Sequence, residues 1–178
     1  MQRLLQRGRT APRARGAGAA PTVGELLAAC TRRLARARLY YGHGTDNARD
    51  DAAALIWHVL RLPPRSQGAA ARALLRRRVP AAARARLDVL MQRRMRERVP
   101  VVYLTRRCWF AGLALYVDER VLIPRSPIAE LIERRFAPWV RVAQVRRILD
   151  LGTGSGCIAI ACARAFAGAR VDAVDISD

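Results

Sequence analysis

The chain has 178 residues and a formal charge of +19, a length that allows one ordinary domain or two small ones with a hydrophobic core. The charge favours an acidic partner, first of all nucleic acid or a ribonucleoprotein, but all 33 basic residues are arginine in an alanine-rich chain, as a GC-rich genome would produce. The four cysteines form no C-x-x-C pair, and no apolar run approaches the roughly 18 residues of a membrane span. We therefore expect no bound metal, no membrane attachment, reduced thiols and a cytoplasmic location.

Residues 1–21 are predicted to form a basic, disordered tail. They are rich in arginine and contain neither an acidic residue nor a serine. The missing serine argues against an organellar transit peptide, and the arginine bias continues through the whole chain. A disordered tail, or a start codon assigned too early, explains this segment better.

Residues 22–98 are predicted to form a small helical domain. Thr22 and Glu25 make a capping-box pair at the start of a first helix that ends near Arg38. After a turn-rich break, the apolar positions of a second helix recur at helical spacing: Ala52, Leu55, Ile56, Val59 and Leu60. Two prolines stop that helix, and a weaker third helix follows over residues 69–78. A fourth helix begins at Pro80. Its arginines are predicted to face outward, and its inward residues are Leu87, Leu90, Met91 and Met95. These arginine faces are either solvated surface or an RNA contact.

The period of the apolar residues changes after residue 98, and residues 99–124 are predicted to form a β-hairpin linker. Residues 101–104 and 113–117 are β-branched and aromatic enough for strands, with a turn at Gly112 between them. Pro127 suits the first turn of a helix that begins at Ile128. Residues 125–178 are then predicted to be the beginning of an α/β domain.

The most informative motif is Ile-Leu-Asp-Leu-Gly-Thr-Gly-Ser-Gly at residues 148–156. A short apolar run ends in an acid, three glycines follow at every second position, and helix formers come next. This order predicts a strand, a tight glycine turn and a helix, as at the first corner of a doubly wound α/β sheet. The next predicted strand covers residues 170–175 and also ends in an acid, Asp175.

The glycine spacing restricts the ligand. A dinucleotide fingerprint needs its third glycine where the chain has Cys157, and a phosphate-binding loop needs a lysine, which the chain lacks. A nucleoside without a pyrophosphate remains, and G-x-G-x-G after a strand acid is how methyltransferases hold S-adenosylmethionine. Asp175, at the tip of the next strand, is placed to accept both ribose hydroxyls. The alternative is an ordinary βαβ corner whose glycines only make the turn.

Further segments resemble the glutamine methyltransferases of the HemK/PrmC-like group. They are Gly-His-Gly-Thr-Asp-Asn at 42–47, Arg-Val-Pro-Val-Val-Tyr-Leu-Thr at 98–105, Trp-Phe-Ala-Gly at 109–112 and Tyr-Val-Asp-Glu-Arg-Val-Leu-Ile-Pro-Arg-Ser-Pro at 116–127. From about residue 26 to residue 178, the chain is similar to the PrmB-type branch, which methylates a glutamine side-chain amide on the third large-subunit ribosomal protein. Relatives that methylate release factors carry Pro-Arg-Pro-Glu-Thr-Glu where this chain has Pro-Arg-Ser-Pro-Ile-Ala at 124–129, which favours the ribosomal-protein branch.

The resemblance implies a Rossmann-like, class I methyltransferase domain that binds S-adenosylmethionine. It also implies that the helical domain at residues 22–98 recognises the protein substrate. It implies that residues 152–156 line the methionine and sugar, that Asp175 holds the ribose, and that Asp150 orients the loop or meets the methionine amino group through water. The implied cofactor-binding residues are Asp150, Gly152, Thr153, Gly154, Ser155, Gly156 and Asp175. Arg125 lies in a segment that approaches the site in this family, so it either meets substrate or cofactor or caps a helix or strand end.

The resemblance also implies how a poor nucleophile is methylated. The lone pair of an amide nitrogen is delocalised, and the family uses an Asn-Pro-Pro-Tyr motif after a later strand to hold the amide in line with the methyl sulfonium. This sequence contains no such motif, so we assign no catalytic residue. A seven-strand sheet at about 25–30 residues per βα unit would need well over 100 residues more. We expect the chain to be the N-terminal part of an enzyme, truncated after its second strand, which alone is inactive and binds the cofactor weakly.

Three other functions remain open. A release-factor glutamine methyltransferase would differ in the protein that accepts the methyl group. A non-catalytic basic fragment would bind the ribosome or RNA with a steep salt dependence. A nucleic-acid base methyltransferase can use a similar Asn-Pro-Pro-Tyr site, but the segment at 42–47 argues against it.

Overall fold

The structure is a computed structural model that describes residues 19–63 and 68–177, so most of the predicted basic tail lies outside the described residues. The fold is mixed, with mostly helical structure and two small sheets. The helices are α1 (Val23–Arg36), α2 (Ala48–Leu60), α3 (Gly68–Arg76), α4 (Ala81–Gln92), α5 (Val101–Thr105), α6 (Ile128–Glu133) and α7 (Cys157–Ala165), with a π-helical segment at Arg93–Glu97 and a 3-10 turn at Val142–Gln144. The strands are β1 (Cys108–Phe110), β2 (Leu113–Leu115), β3 (Arg147–Leu151) and β4 (Arg170–Val174). Within the described ranges, no helix has the length and apolar character needed to cross a membrane.

The first helix begins where the sequence predicts. The Glu25 amide donates to Thr22 Oγ1 over 3.2 Å, and the Thr22 amide donates back to the Glu25 carboxylate over 2.7 Å. This reciprocal pair satisfies two amides that the first helical turn leaves without an intrahelical acceptor. The capping box is confirmed, and α1 ends at Arg36.

Helices α1, α2, α4 and α5 share one hydrophobic core. The predicted inward positions of α2 at Ala52, Leu55 and Ile56 are buried, while Val59 and Leu60 pack at its margin. Leu87 and Met91 of α4 are also buried, as their spacing predicts. A shared apolar core is what a helical unit of this size needs for stability, because each helix alone buries only one face.

A buried ion pair ties the π-helical segment to α2, and it corrects the prediction that the arginines after Pro80 all point outward. Arg94 Nε donates to Asp51 Oδ2 over 2.6 Å, and both side chains are almost completely buried. Arg94 also donates to the Tyr40 carbonyl over 2.8 Å, and Thr45 Oγ1 donates to the second oxygen of Asp51 over 2.5 Å. The wider π turn changes which positions face inward at the end of α4, so the Arg94 guanidinium reaches a carboxylate that would otherwise be buried alone.

Residues 101–104 are helical, so the prediction of a strand there is wrong. Pro100 begins α5, and its carbonyl accepts the amides of Tyr103 and Leu104. Val101 and Leu104 lie three positions apart and are buried in the core of the helical unit. Helical spacing therefore outweighs the β propensity of the valines, because burial against α2 stabilises this turn.

The hairpin of the predicted linker is confined to residues 108–115. Strands β1 and β2 are antiparallel, and Cys108 pairs with Leu115. Ala111 and Gly112 both have positive φ in the turn between them. The second predicted strand thus ends at Leu115, two residues earlier than expected.

Strands β3 and β4 are parallel and are joined through α7, the arrangement that the motif at 148–156 predicts. Arg147 pairs with Arg170 and Leu151 with Val174 along the ladder. Cys157, Ala161 and Cys162 of α7 are buried in a core that also contains Phe110 of the hairpin and Ile132 of α6. This βαβ unit places the glycine loop at the carboxyl ends of both strands.

Replacing Arg94 by Met should destabilise the fold by about 3–5 kcal/mol, because the Asp51 carboxylate would remain buried without its partner. The matched control is Arg93→Met, which removes solvent-accessible pairs with Glu97 and Glu119 and should cost less than about 1 kcal/mol. Urea unfolding followed by circular dichroism measures both. The double variant Asp51→Asn/Arg94→Met should recover part of the loss, and equal costs for the two single variants would contradict this role.

Candidate functional site

The glycine loop has a backbone conformation that requires its glycines. Gly152, Gly154 and Gly156 have φ values of 70°, 53° and 74°, in the left-handed region that side chains disfavour. A Cβ added at Gly152 or Gly154 would meet no atom within 4 Å. At these two positions the glycines are therefore required by the turn and not by a protein contact, and they leave the loop backbone open to an approaching ligand.

Asp150 holds the strand, the loop and the helix together. Its buried carboxylate Oδ2 accepts a hydrogen bond from Thr153 Oγ1 over 2.6 Å and one from the Ala159 amide over 3.1 Å. Because Gly156 at the start of α7 has no side chain to cap the helix, this strand carboxylate supplies the acceptor instead. The two roles expected for Asp150 are to orient the loop or to meet the methionine amino group through water. The hydrogen bonds within the protein correspond to the first of these roles.

Asp175 lies at the end of β4 and contacts the same loop. Its Oδ2 accepts from the Gly154 amide over 2.7 Å, and its Oδ1 accepts from the Ser177 amide over 3.0 Å. The amides of Ser177 and Gly154, and then that of Ile176, hold the pKa of this carboxyl below its usual range. A lowered pKa means that the carboxylate stabilises the loop at neutral pH and loses this effect only when the pH falls through that lowered value. Asp175 is therefore an ionised acceptor with lone pairs left for hydroxyl donors.

Backbone hydrogen bonds fix the rest of the loop. The amides of Gly152 and Thr153 both donate to the Val174 carbonyl, over 2.8 and 3.1 Å. The Gly156 amide donates to the Thr153 carbonyl over 2.9 Å, which closes the turn before α7. Ser155, the remaining predicted loop residue, is half-buried between Gly154 and Gly156. The structure thus brings the seven predicted cofactor residues into one loop and two adjacent strand ends.

Arg125 lies elsewhere. Its exposed side chain lines a pocket of about 380 Å³ together with the hairpin residues Trp109 and Phe110 and with Glu130 of α6. No residue of the glycine loop lines this pocket. The structure therefore does not join Arg125 to the other predicted site residues.

The Cys162 thiol of α7 is poorly suited to covalent chemistry. Cys157 and Cys162 of α7 are buried, and burial, with a smaller effect of Asp150, raises the pKa of the Cys162 thiol. A raised pKa keeps that thiol protonated and hence weakly nucleophilic. Within residues 19–63 and 68–177, no group of three or more His, Cys, Asp or Glu side chains is placed to hold a metal ion.

The sequence interpretation missed how the segment at 42–47 is built. Thr45 bonds to the buried Asp51, and Asn47 caps α2 by accepting the amides of Arg49 and Asp50. A Cβ on Gly44 would lie 2.6 Å from Val102 Cγ1, so this glycine is required by close packing. The local Asn cap was readable from its position before α2, but the contacts to Asp51 and Val102 are set by tertiary packing.

Replacing Asp150 by Ala should destabilise the βαβ unit by about 1–3 kcal/mol, because the Ala159 amide would lose its acceptor in a buried position. Asp172→Ala is the control, since it removes a partly exposed carboxylate that pairs with Arg147 and Arg170 on the same sheet. Chemical denaturation measures the stability, and hydrogen exchange at the Ala159 amide locates the effect. Faster exchange in the Asp172 variant than in the Asp150 variant would contradict the capping role.

Comparison with known proteins identifies homologues over most of the chain. Over 157 residues it is 48% identical to a ribosomal protein uL3 glutamine methyltransferase of Bordetella pertussis, a match that covers 88% of this chain and 51% of that protein. A protein of the same name from Xanthomonas campestris is 49% identical, and one from Xylella fastidiosa is 47% identical. Each match again covers 88% of this chain, and it covers 50% of the first protein and 49% of the second. No protein-family model matches. The chain spans about half the length of these curated relatives, and the resemblance stated from the motifs is confirmed.

Proposed function

We propose, from the homology of this chain with the uL3 glutamine methyltransferases over 88% of its length, that it supplies the substrate-recognition helices and the cofactor loop of such an enzyme. The reaction is the transfer of a methyl group from S-adenosylmethionine to a glutamine side-chain amide nitrogen of the large-subunit ribosomal protein uL3. The observation that carries the proposal is the glycine loop, which presents open backbone between two strand-end carboxylates.

The chemistry of the loop fits S-adenosylmethionine as the cofactor. The ionised Asp175 carboxylate is suited to accept ribose hydroxyls, and the loop glycines allow the methionine and sugar to approach the backbone closely. When bound, the cofactor supplies an electrophilic methyl group on a sulfonium. The residues of this chain bind and orient it through Asp175 and the loop, while Asp150 acts as a positioning residue.

The helical unit is proposed to select the protein substrate. Because Val101 and Leu104 pack into its core, we place its end near Thr105 and not at residue 98. The hairpin and α6 then lead into the cofactor-binding part, and Arg125 is proposed to face the substrate near the hairpin and not the cofactor. A substrate that is a ribosomal protein favours action in the cytoplasm, where such proteins are made.

The βαβ unit is proposed to belong to a larger doubly wound, Rossmann-like sheet. Parallel strands are normally covered on both faces, yet Leu149 and Leu151 of β3 are 59% and 73% exposed and Val174 of β4 is 52% exposed. So many exposed apolar side chains on a two-stranded sheet indicate that further structure packs on them in the whole protein. The length of the relatives, about twice that of this chain, is consistent with this proposal.

The 178 residues are proposed to bind and orient, but not to complete catalysis. A glutamine amide nitrogen becomes a nucleophile only when its hydrogens are held and its lone pair faces the methyl group. The Asn-Pro-Pro-Tyr motif assigned to that task by resemblance does not occur in the sequence. Alone, the chain is expected to transfer no methyl group.

The test is methyl transfer from labelled S-adenosylmethionine to ribosomal protein uL3 by the polypeptide that the source cell makes from this sequence. We expect label on a glutamine of uL3, located by mass spectrometry of the digested protein. Gly154→Ala should lower the rate of methyl transfer at least tenfold, because the alanine side chain would occupy the open space beside the loop that the cofactor needs.

Gly112→Ala is the matched control for that variant. Gly112 also has positive φ and open space at its Cβ position, but it lies in the hairpin turn, so it carries a similar backbone strain without affecting the loop. Label on a release factor and not on uL3 would reassign the substrate. Transfer by the 178-residue chain alone would contradict the role given to the missing motif.

A further inference from the structure

A groove in the helical unit carries a strong and unbalanced positive charge. It has a volume of about 1960 Å³ and lies along α2, α4 and α5. Among the described residues, five arginines line it: Arg61, Arg77, Arg86, Arg106 and Arg107. No aspartate or glutamate is found in that described lining.

These arginines are available to an external anion. All five are exposed, and within the part of the chain that the structure describes none of them lies in an ion pair with a carboxylate. Arg86 donates only a long bond to the Val59 carbonyl. His58 also lines the groove, and burial, followed by the charges of Arg107 and Arg61, lowers its pKa.

Aromatic and apolar surface accompanies this charge. Trp57 and Trp109 both line the groove, and Trp109 is 46% exposed. The volume exceeds the roughly 300–1,000 Å³ of ordinary small-molecule sites, which favours a polymer as the occupant. Guanidinium groups along a groove with indole rings are the combination that binds the phosphates and bases of a single strand.

We propose that this groove binds single-stranded RNA. The charge of the protein substrate favours RNA over a polypeptide as the occupant. This step rests on the proposed function: a protein that binds ribosomal RNA neutralises phosphates with basic residues, and such a surface would be repelled by the five groove arginines. An RNA strand bound by the substrate would instead be attracted by both proteins and would bring them together.

The test is binding of a fluorescein-labelled 12-nucleotide oligouridylate to the 178-residue chain, followed by fluorescence anisotropy at several salt concentrations. Arg77→Gln/Arg107→Gln should weaken binding at least tenfold and should lower the salt slope by about 1.4, since each lost phosphate contact contributes about 0.7. Trp109→Leu should weaken binding at least fivefold with the slope unchanged, because stacking on a base releases no counterion.

The control is Arg32→Gln/Arg36→Gln, which removes the same charge from exposed positions on α1 outside the groove. It should change the affinity less than twofold, and circular dichroism should be the same for all variants. Equal weakening by both arginine pairs would overturn the proposal in favour of diffuse charge. Tighter binding of polyglutamate than of the oligouridylate, with the same dependence on Arg77 and Arg107, would overturn it in favour of an acidic polypeptide. The binding measurements with oligouridylate and polyglutamate do not require S-adenosylmethionine. A negative result in them would therefore overturn the RNA proposal without bearing on the methyl-transfer test.

Discussion

The buried carboxylate of Asp150 is the contact on which the candidate site depends. It ends the apolar part of β3 and accepts hydrogen bonds from Thr153 in the loop and from the first turn of α7. Gly156, the residue before α7, has no side chain to cap that helix, so the carboxylate supplies the side-chain acceptor. The three positive φ angles of the loop are tolerated because this carboxylate, the Val174 carbonyl and Asp175 fix the chain on both sides.

A second buried carboxylate organises the helical unit in a comparable way. Asp51 joins Thr45 of the segment at 42–47 to Arg94 of the π-helical segment, and Arg94 in turn holds the Tyr40 carbonyl. A buried pair of this kind contributes less to net stability than its short distance suggests, because both groups lose their water. The pair instead fixes the position of the segment at 42–47, one of the segments that carry the resemblance, against the π-helical segment.

The parts that the sequence predicted correctly are those set by neighbouring residues. The capping box of α1, the apolar spacing of α2 and the strand–glycine–helix order of residues 147–165 all depend on contacts within one or two turns. The errors arose where distant residues decide. Residues 101–104 are helical because α2 buries two of their side chains, and Arg94 turns inward because of a carboxylate 43 positions away. The position of Arg125, in a pocket beside the hairpin, is likewise set by tertiary packing, so the sequence left its role open between alternatives.

The central claim is that the loop between β3 and α7, with Asp150 and Asp175, is the cofactor-binding site. Titration of the isotope-labelled chain with S-adenosylhomocysteine, followed by amide chemical shifts, tests it most directly because the method locates even weak binding. The account predicts saturable shifts that are largest at residues 152–158 and 175, with the helical unit unaffected. Saturable shifts centred on another part of the chain, or none at the loop at millimolar ligand, would contradict it.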